Sequence, residues 1–118
     1  MQFDLGTYNT VFYGNPIDPY LEKSGLVNKL DSIGMFKNVC LKMGAIPFNN
    51  INVVYKKDFG EKAPIDSLHT KTPKHIGTIA TDMFQDKIVI IDYKSCRLAI
   101  TDSLPTEYTD LPAEKFEL

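Results

Sequence analysis

Four consecutive β-branched residues, Ile88-Val89-Ile90-Ile91, form the longest apolar run in the chain. Four residues are far too few to cross a bilayer, so no membrane span is expected. A short run with no polar face suits a strand covered on both sides. Just beyond it, Cys96, Leu98 and Ile100 alternate with Arg97, Ala99 and Thr101, the period of a strand with one covered face. The pair predicts an antiparallel hairpin over 88–93 and 96–101, with a tight turn near Lys94-Ser95 and with 88–93 as a central strand.

The same reasoning runs along the rest of the chain. Phe3-Asp4-Leu5 reads as the end of a strand that Gly6 breaks, and Thr10 to Tyr13 as a second strand. Asn15-Pro16 reads as a helix cap followed by proline at the first helical position. Ile17, Tyr20 and Leu21 recur at helical spacing and Gly25 stops them, which predicts a short helix from about 16 to 23. Val39, Leu41 and Met43 alternate with Asn38, Cys40 and Lys42, and Ile51, Val53 and Tyr55 alternate beyond Gly44-Ala45. That is a long-armed β-hairpin. Ile79 and Met83 suggest a second short helix within 78–84. Residues 56–75 carry no period, so they read as a functional loop or an unrecognised element. The acidic, proline-containing stretch from Thr101 to Leu111 is expected to wrap the surface. The sum is a mainly-β single domain over 1–118 with one or two short helices.

Composition excludes several classes. Hydrophobic residues make up 43% of the 118, enough to order a core, so global disorder is ruled out. The net charge of −2 comes with no basic stripe, and no nucleic-acid partner is expected. The first residues, Met1-Gln2-Phe3-Asp4, are neither basic nor part of a long apolar segment and do not make a signal peptide. The compartment stays open, since a trimmed signal would put the protein in the periplasm or outside the cell. Cys40 and Cys96 both fall in strand-like runs and are expected to be buried free thiols rather than a bridge. His69 and His75 lie six apart with no converging set of ligands, so neither a metal nor a cofactor is expected. No Gly-x-Ser-x-Gly elbow and no phosphate-cradling glycine loop occurs.

Two blocks carry a resemblance. The first is Phe3-Asp4-Leu5-Gly6-Thr7-Tyr8-Asn9-Thr10-Val11. The second is Ile76-Gly77-Thr78-Ile79-Ala80-Thr81-Asp82-Met83-Phe84, followed by Lys87-Ile88-Val89-Ile90-Ile91-Asp92-Tyr93 and Arg97-Leu98-Ala99-Ile100. In this order they resemble the retropepsin-like aspartic proteases, most closely the bacterial single-lobe members. In that family an apolar strand runs into Asp-Thr-Gly or Asp-Ser-Gly, and an apolar-apolar-Gly element later leads into a short helix. The resemblance covers Phe3 to about Ser103. It implies an acid-protease β-barrel lobe that hydrolyses peptide bonds as a homodimer, with Asp4 of each copy forming the catalytic pair. Leu5, Gly6, Thr7, Ile79 and Ala80 would support the aspartate loop. Met43, Gly44 and Ala45 would form a flap over a peptide or protein substrate, with an ordinary hairpin tip as the alternative.

The chain departs from the family pattern at three places. Leu5 stands where the family has a hydroxyl residue, Ala80 stands where it has Gly, and the strands that precede the family's aspartate are not present ahead of Phe3. The resemblance therefore implies a lobe without peptidase activity, an aspartic endopeptidase only if Asp4 is competent. The alternative is a non-catalytic module that binds peptide or protein, for instance as a strand added to the exposed edge of the 39–55 hairpin. Asp4 is expected on a frayed segment, and the chain is expected to dimerise or to expose strand edges near its start. Asp82 reads either as a contact to the Asp4 loop or as a first-turn acid favoured by the helix dipole, the second being preferred. Asp92 is expected to pair with a backbone amide or Lys94 and is given no role.

Overall fold

The computed structural model describes residues 1–62 and 75–110. His69, most of the aperiodic 56–75 stretch and Leu111 lie outside the described residues. The chain divides into two compact units, Met1–Met83 and Phe84–Leu118.

The first unit holds a five-stranded mixed sheet. Its strands are β1 (Gln2–Phe3), β2 (Val11–Tyr13), β3 (Met35–Met43), β4 (Ile46–Lys56) and β5 (Gly77–Ile79), in the order β1-β5-β2-β4-β3. β1 runs parallel to β5, β5 antiparallel to β2, β2 parallel to β4, and β4 antiparallel to β3. The mainly-β expectation holds. The barrel does not close among the described residues: the two-residue β1 and the nine-residue β3 stand at opposite edges and share no ladder.

The core is built where the alternation put it. Phe12, Ile17, Phe36, Val39 and Val53 are buried together, with Leu41, Ile51 and Tyr55 packed against them. The Phe12 and Phe36 rings meet edge to face at 5.7 Å, and Phe36 meets Tyr55 in the same way at 5.4 Å. Full burial of such a side chain contributes about 1.5–3 kcal/mol.

The β3–β4 hairpin is longer than its alternation suggested. It turns at Gly44, where φ is +60°, between the paired Met43 and Ile46. Two bulges interrupt it. Lys37 and Asn38 stand against Asn52 alone, and Asn49 and Asn50 stand against Cys40 alone. Each bulge carries an asparagine at positive φ, +53° at Asn38 and +60° at Asn50. Asparagine tolerates that conformation better than the β-branched residues around it.

The predicted helix over 16–23 occupies Gly14 to Ser24 but in three pieces: α1 (Gly14–Ile17), a 3-10 turn (Asp18–Tyr20) and α2 (Leu21–Ser24). Pro19 lacks the N–H that a continuous helix needs, which breaks the run. Asn15 is not its cap. Its amide donates to the Gly60 carbonyl at 2.7 Å and so ties the helix start to the chain after β4. Gly25 ends the helix at φ +71°. The helix expected over 78–84 begins instead as β5. Only Thr81–Phe84 coils, as a single 3-10 turn, because Thr78 and Ile79 are drawn into pairing with β1 and β2.

The second unit contains β6 (Ile88–Asp92) and β7 (Arg97–Thr101), paired antiparallel from Ile88↔Thr101 to Asp92↔Arg97. The hairpin matches the sequence reading, but the central placement of 88–93 does not. Among the described residues β6 pairs with β7 alone, and Ile91 and Leu98 are 40% and 46% exposed. The connection is also longer than a two-residue turn. Asp92 accepts hydrogen bonds from Ser95 N at 3.1 Å and Ser95 Oγ at 2.6 Å, and Cys96 closes the turn at φ +52°.

Both cysteines are free and exposed, which corrects the expected buried thiols. Cys40 falls on the polar side of its strand's alternation, beside Asn49 at 3.0 Å. Cys96 belongs to the turn rather than to β7. Among the described residues, no helix is long and apolar enough to cross a membrane.

Candidate functional site

Asp4 directly follows β1. Its backbone N–H donates to the Ile79 carbonyl at 3.0 Å, which extends the β1–β5 pairing by one bond. The expected fraying is therefore not what the structure shows. The Asp4 carboxylate accepts the Gly6 N–H through Oδ1 at 2.8 Å, and among the described residues its Oδ2 carries no hydrogen bond. A Cβ on residue 6 would sit 3.1 Å from that same Oδ1, so glycine keeps the turn tight against the carboxylate.

The chain from 4 to 10 is laced to 79–82 along its length. Thr7 O accepts from Thr81 N at 3.3 Å and from Thr81 Oγ1 at 3.2 Å, and Tyr8 O accepts from Asp82 N at 3.1 Å. At the far end Thr10, which is fully buried, is bonded on every polar atom. Its N–H donates to Asp82 Oδ2 at 2.7 Å and its hydroxyl donates to Asp82 Oδ1 at 2.6 Å. The same Oγ1 accepts Ala80 N–H at 3.0 Å, and Thr10 O accepts Val54 N–H at 2.9 Å. A carboxylate taking two donors from one buried residue is a charge-assisted brace, stronger than a neutral pair.

Of the residues singled out from sequence, Gly6, Thr7, Ile79 and Ala80 are gathered around Asp4 or its loop. Ala80 is fully buried with its N–H satisfied, so its methyl is accommodated beside the loop. Leu5 is different: it is 39% exposed. It has no hydroxyl to donate. Met43, Gly44 and Ala45 lie at the β3–β4 tip, and among the described residues no hydrogen bond joins them to the Asp4 loop.

The brace itself is what sequence reasoning ranked too low. Asp82 does sit in the first turn of a 3-10 turn, as the dipole reading has it. Its carboxylate is nevertheless committed to Thr10, 72 positions away. The usable signal was a Thr shortly after the aspartate together with an acid just after the second apolar element.

Away from this loop, Tyr13 Oη shares a hydrogen bond with Thr78 Oγ1 at 2.9 Å, and its ring packs edge-on against Phe59 and His75. Among the described residues, no group of three or more His, Cys, Asp or Glu could hold a metal ion. Comparison with known protein families, with curated proteins and with solved structures gives no match for this chain.

Proposed function

We propose that this chain is one lobe of a retropepsin-like aspartic peptidase fold, built to work in pairs, and that with Leu5 beside Asp4 it does not hydrolyse peptides. One observation carries the reading: the interlaced 4–10 and 79–82 segments, which present Asp4 on a short turn with Oδ1 held by Gly6 N–H and Oδ2 open. One lobe supplies one carboxylate, so the partner is a second copy related by a two-fold axis. Two carboxylates about 3 Å apart share a proton. One then acts as base toward a water and the other as acid toward the scissile carbonyl. The pair titrates as a unit.

The same geometry supports the loss of activity. Positioning errors of about 1 Å in a catalytic group cost roughly a hundredfold in rate. In the family a hydroxyl after the aspartate locks the two turns together, and Leu5 cannot donate that bond. An exposed leucine at this place favours the second reading, a module that holds peptide or protein without cutting it.

The test is a peptidase assay of the 118-residue chain against a peptide library from about pH 3 to 7, where a shared-proton pair is competent. Wild type is expected to be silent, and Leu5→Thr to gain cleavage that Asp4→Asn abolishes. Cleavage by wild type that Asp4→Asn removes would overturn the inactivity. Silence of Leu5→Thr, in a chain that stays monomeric, would overturn the paired-lobe reading.

A further inference from the structure

A second site lies in an open surface groove of about 400 Å³ lined by Asn28, Lys29, Leu30, Asp31, Lys37 and Asn38. One wall is the end of the 3-10 turn Leu26–Lys29, and the other is the start of β3. Its shape follows from local chemistry. Asp31 Oδ1 accepts the N–H groups of Ile33 and Met35 at 3.0 and 2.9 Å, which folds the connection back on itself. Leu30 then bridges to Phe36. The bulge at Asn38, with φ at +53°, brings its backbone carbonyl to Lys29, whose ammonium donates to it.

The donors outnumber the acceptors. Lys29 spends one of its three ammonium hydrogens on Asn38 O. Lys37 donates to Met35 Sδ at 3.2 Å, a weak acceptor, and stands 3.7 Å from Asp31 Oδ2, too far for a good hydrogen bond; its side chain is 44% exposed. The side-chain amides of Asn28 and Asn38 carry no hydrogen bonds among the described residues. Two cations against one carboxylate leave a net positive groove on a chain of net charge −2.

We propose that this groove binds a small oxyanion-bearing metabolite, a phosphate ester or a carboxylate, with Lys29 and Lys37 closing on the anion. The groove is open to solvent, so it suits a charged group held at the surface by the two ammonium groups rather than an enclosed apolar ligand. The site is independent of Asp4 and of any peptidase reading.

The test titrates the full chain with inorganic phosphate and, separately, with succinate, following backbone amide shifts by NMR. Saturable shifts confined to 28–31 and 37–38, at about 10 mM or below, are expected for at least one probe. The tighter of the two identifies the anion as phosphate or carboxylate. Lys29→Gln and Lys37→Gln are each expected to weaken binding about fivefold. Asp31→Asn keeps the Oδ1 acceptor that shapes the turn and removes the opposing charge, so it is expected to tighten binding. No saturation with either probe would overturn the proposal. So would shifts spread over the other lysines, or an Asp31→Asn variant that stays folded yet binds no better.

Discussion

Asp82 takes both hydrogen-bond donors of Thr10, the backbone N–H at 2.7 Å and the hydroxyl at 2.6 Å. Thr10 is fully buried, so neither donor has water as a substitute. Asp82→Ala is expected to cost about 3 kcal/mol of folding stability. Thr10→Val keeps the shape but strands the Ala80 N–H, and about 2 kcal/mol is expected. The two changes act on one network, so the double variant should lose less than the sum. Urea unfolding of the four proteins measures this, and simple additivity would show the brace to be energetically idle.

Gly77 lies where β2 and β5 come closest. A Cβ there would stand 2.1 Å from the Val11 carbonyl oxygen, and the obstacle is backbone rather than a side chain that can move aside. Gly77→Ala is expected to break the Phe12↔Gly77 pairing and destabilise the first unit by about 3 kcal/mol. A variant with an unchanged denaturation midpoint would contradict that close approach.

Tyr55 gives an alkaline signature. Its hydroxyl donates to Asp18 Oδ1 at 2.6 Å. Burial first, then that bond and the charges of Asp18 and Asp58, push its ionisation up to about 12 from an ordinary 10.0. The folded state thus favours the neutral phenol. The stabilisation is complete below the ordinary tyrosine value and is lost as pH rises through about 12. Ultraviolet difference titration should show an ionisation near pH 12 that Tyr55→Phe removes and Asp18→Asn moves down.

Asp92 gives the opposite sign. The Ser95 hydroxyl, then the Ser95 N–H, hold its carboxyl below the usual carboxylate range, with Lys94 N–H and Arg97 adding to the effect. Order in the β6–β7 turn is therefore favoured above the ordinary carboxylate value and fades as pH falls through the lowered one. Ser95→Ala is expected to raise the Asp92 midpoint. A carbon-detected NMR titration of the carboxyl that shows no rise would count against the turn geometry.

Local periodicity made the β3–β4 and β6–β7 hairpins legible, because their partners are near in sequence and one face of β3 is covered by Phe36 and Val39. Periodicity did not bring Asp4, Gly6, Ile79 and Ala80 together; only the family resemblance of their two blocks implied that they are neighbours. The Thr10–Asp82 brace was legible only as the less favoured of two readings of Asp82, since a pairing across 72 positions leaves no periodic trace. The β6 run misled for a related reason. Four β-branched residues look the same in a central strand as in a hairpin strand that, among the described residues, pairs with one neighbour. Cys40 was misjudged by weighing residue type above the alternation that already set it with Asn38 and Lys42.

The two asparagine bulges sit on opposite arms of one hairpin, Asn38 on β3 and Asn50 on β4, and their offsets cancel. Met43↔Ile46 at the tip therefore keeps the register of Phe36↔Val53 at the base. Deleting Asn38 would leave Lys37 alone against Asn52, keep Phe36↔Val53 and Val39↔Ile51, and restore strict alternation from Phe36 through Lys37 to Val39. Deleting Asn50 would do the same opposite Cys40, between Val39↔Ile51 and Leu41↔Phe48. The bulges are thus the places where this hairpin can lose a residue with its register kept, whereas a deletion in the regular ladder from Leu41 to Met43 would slip the pairs beside it and turn their side chains to the other face.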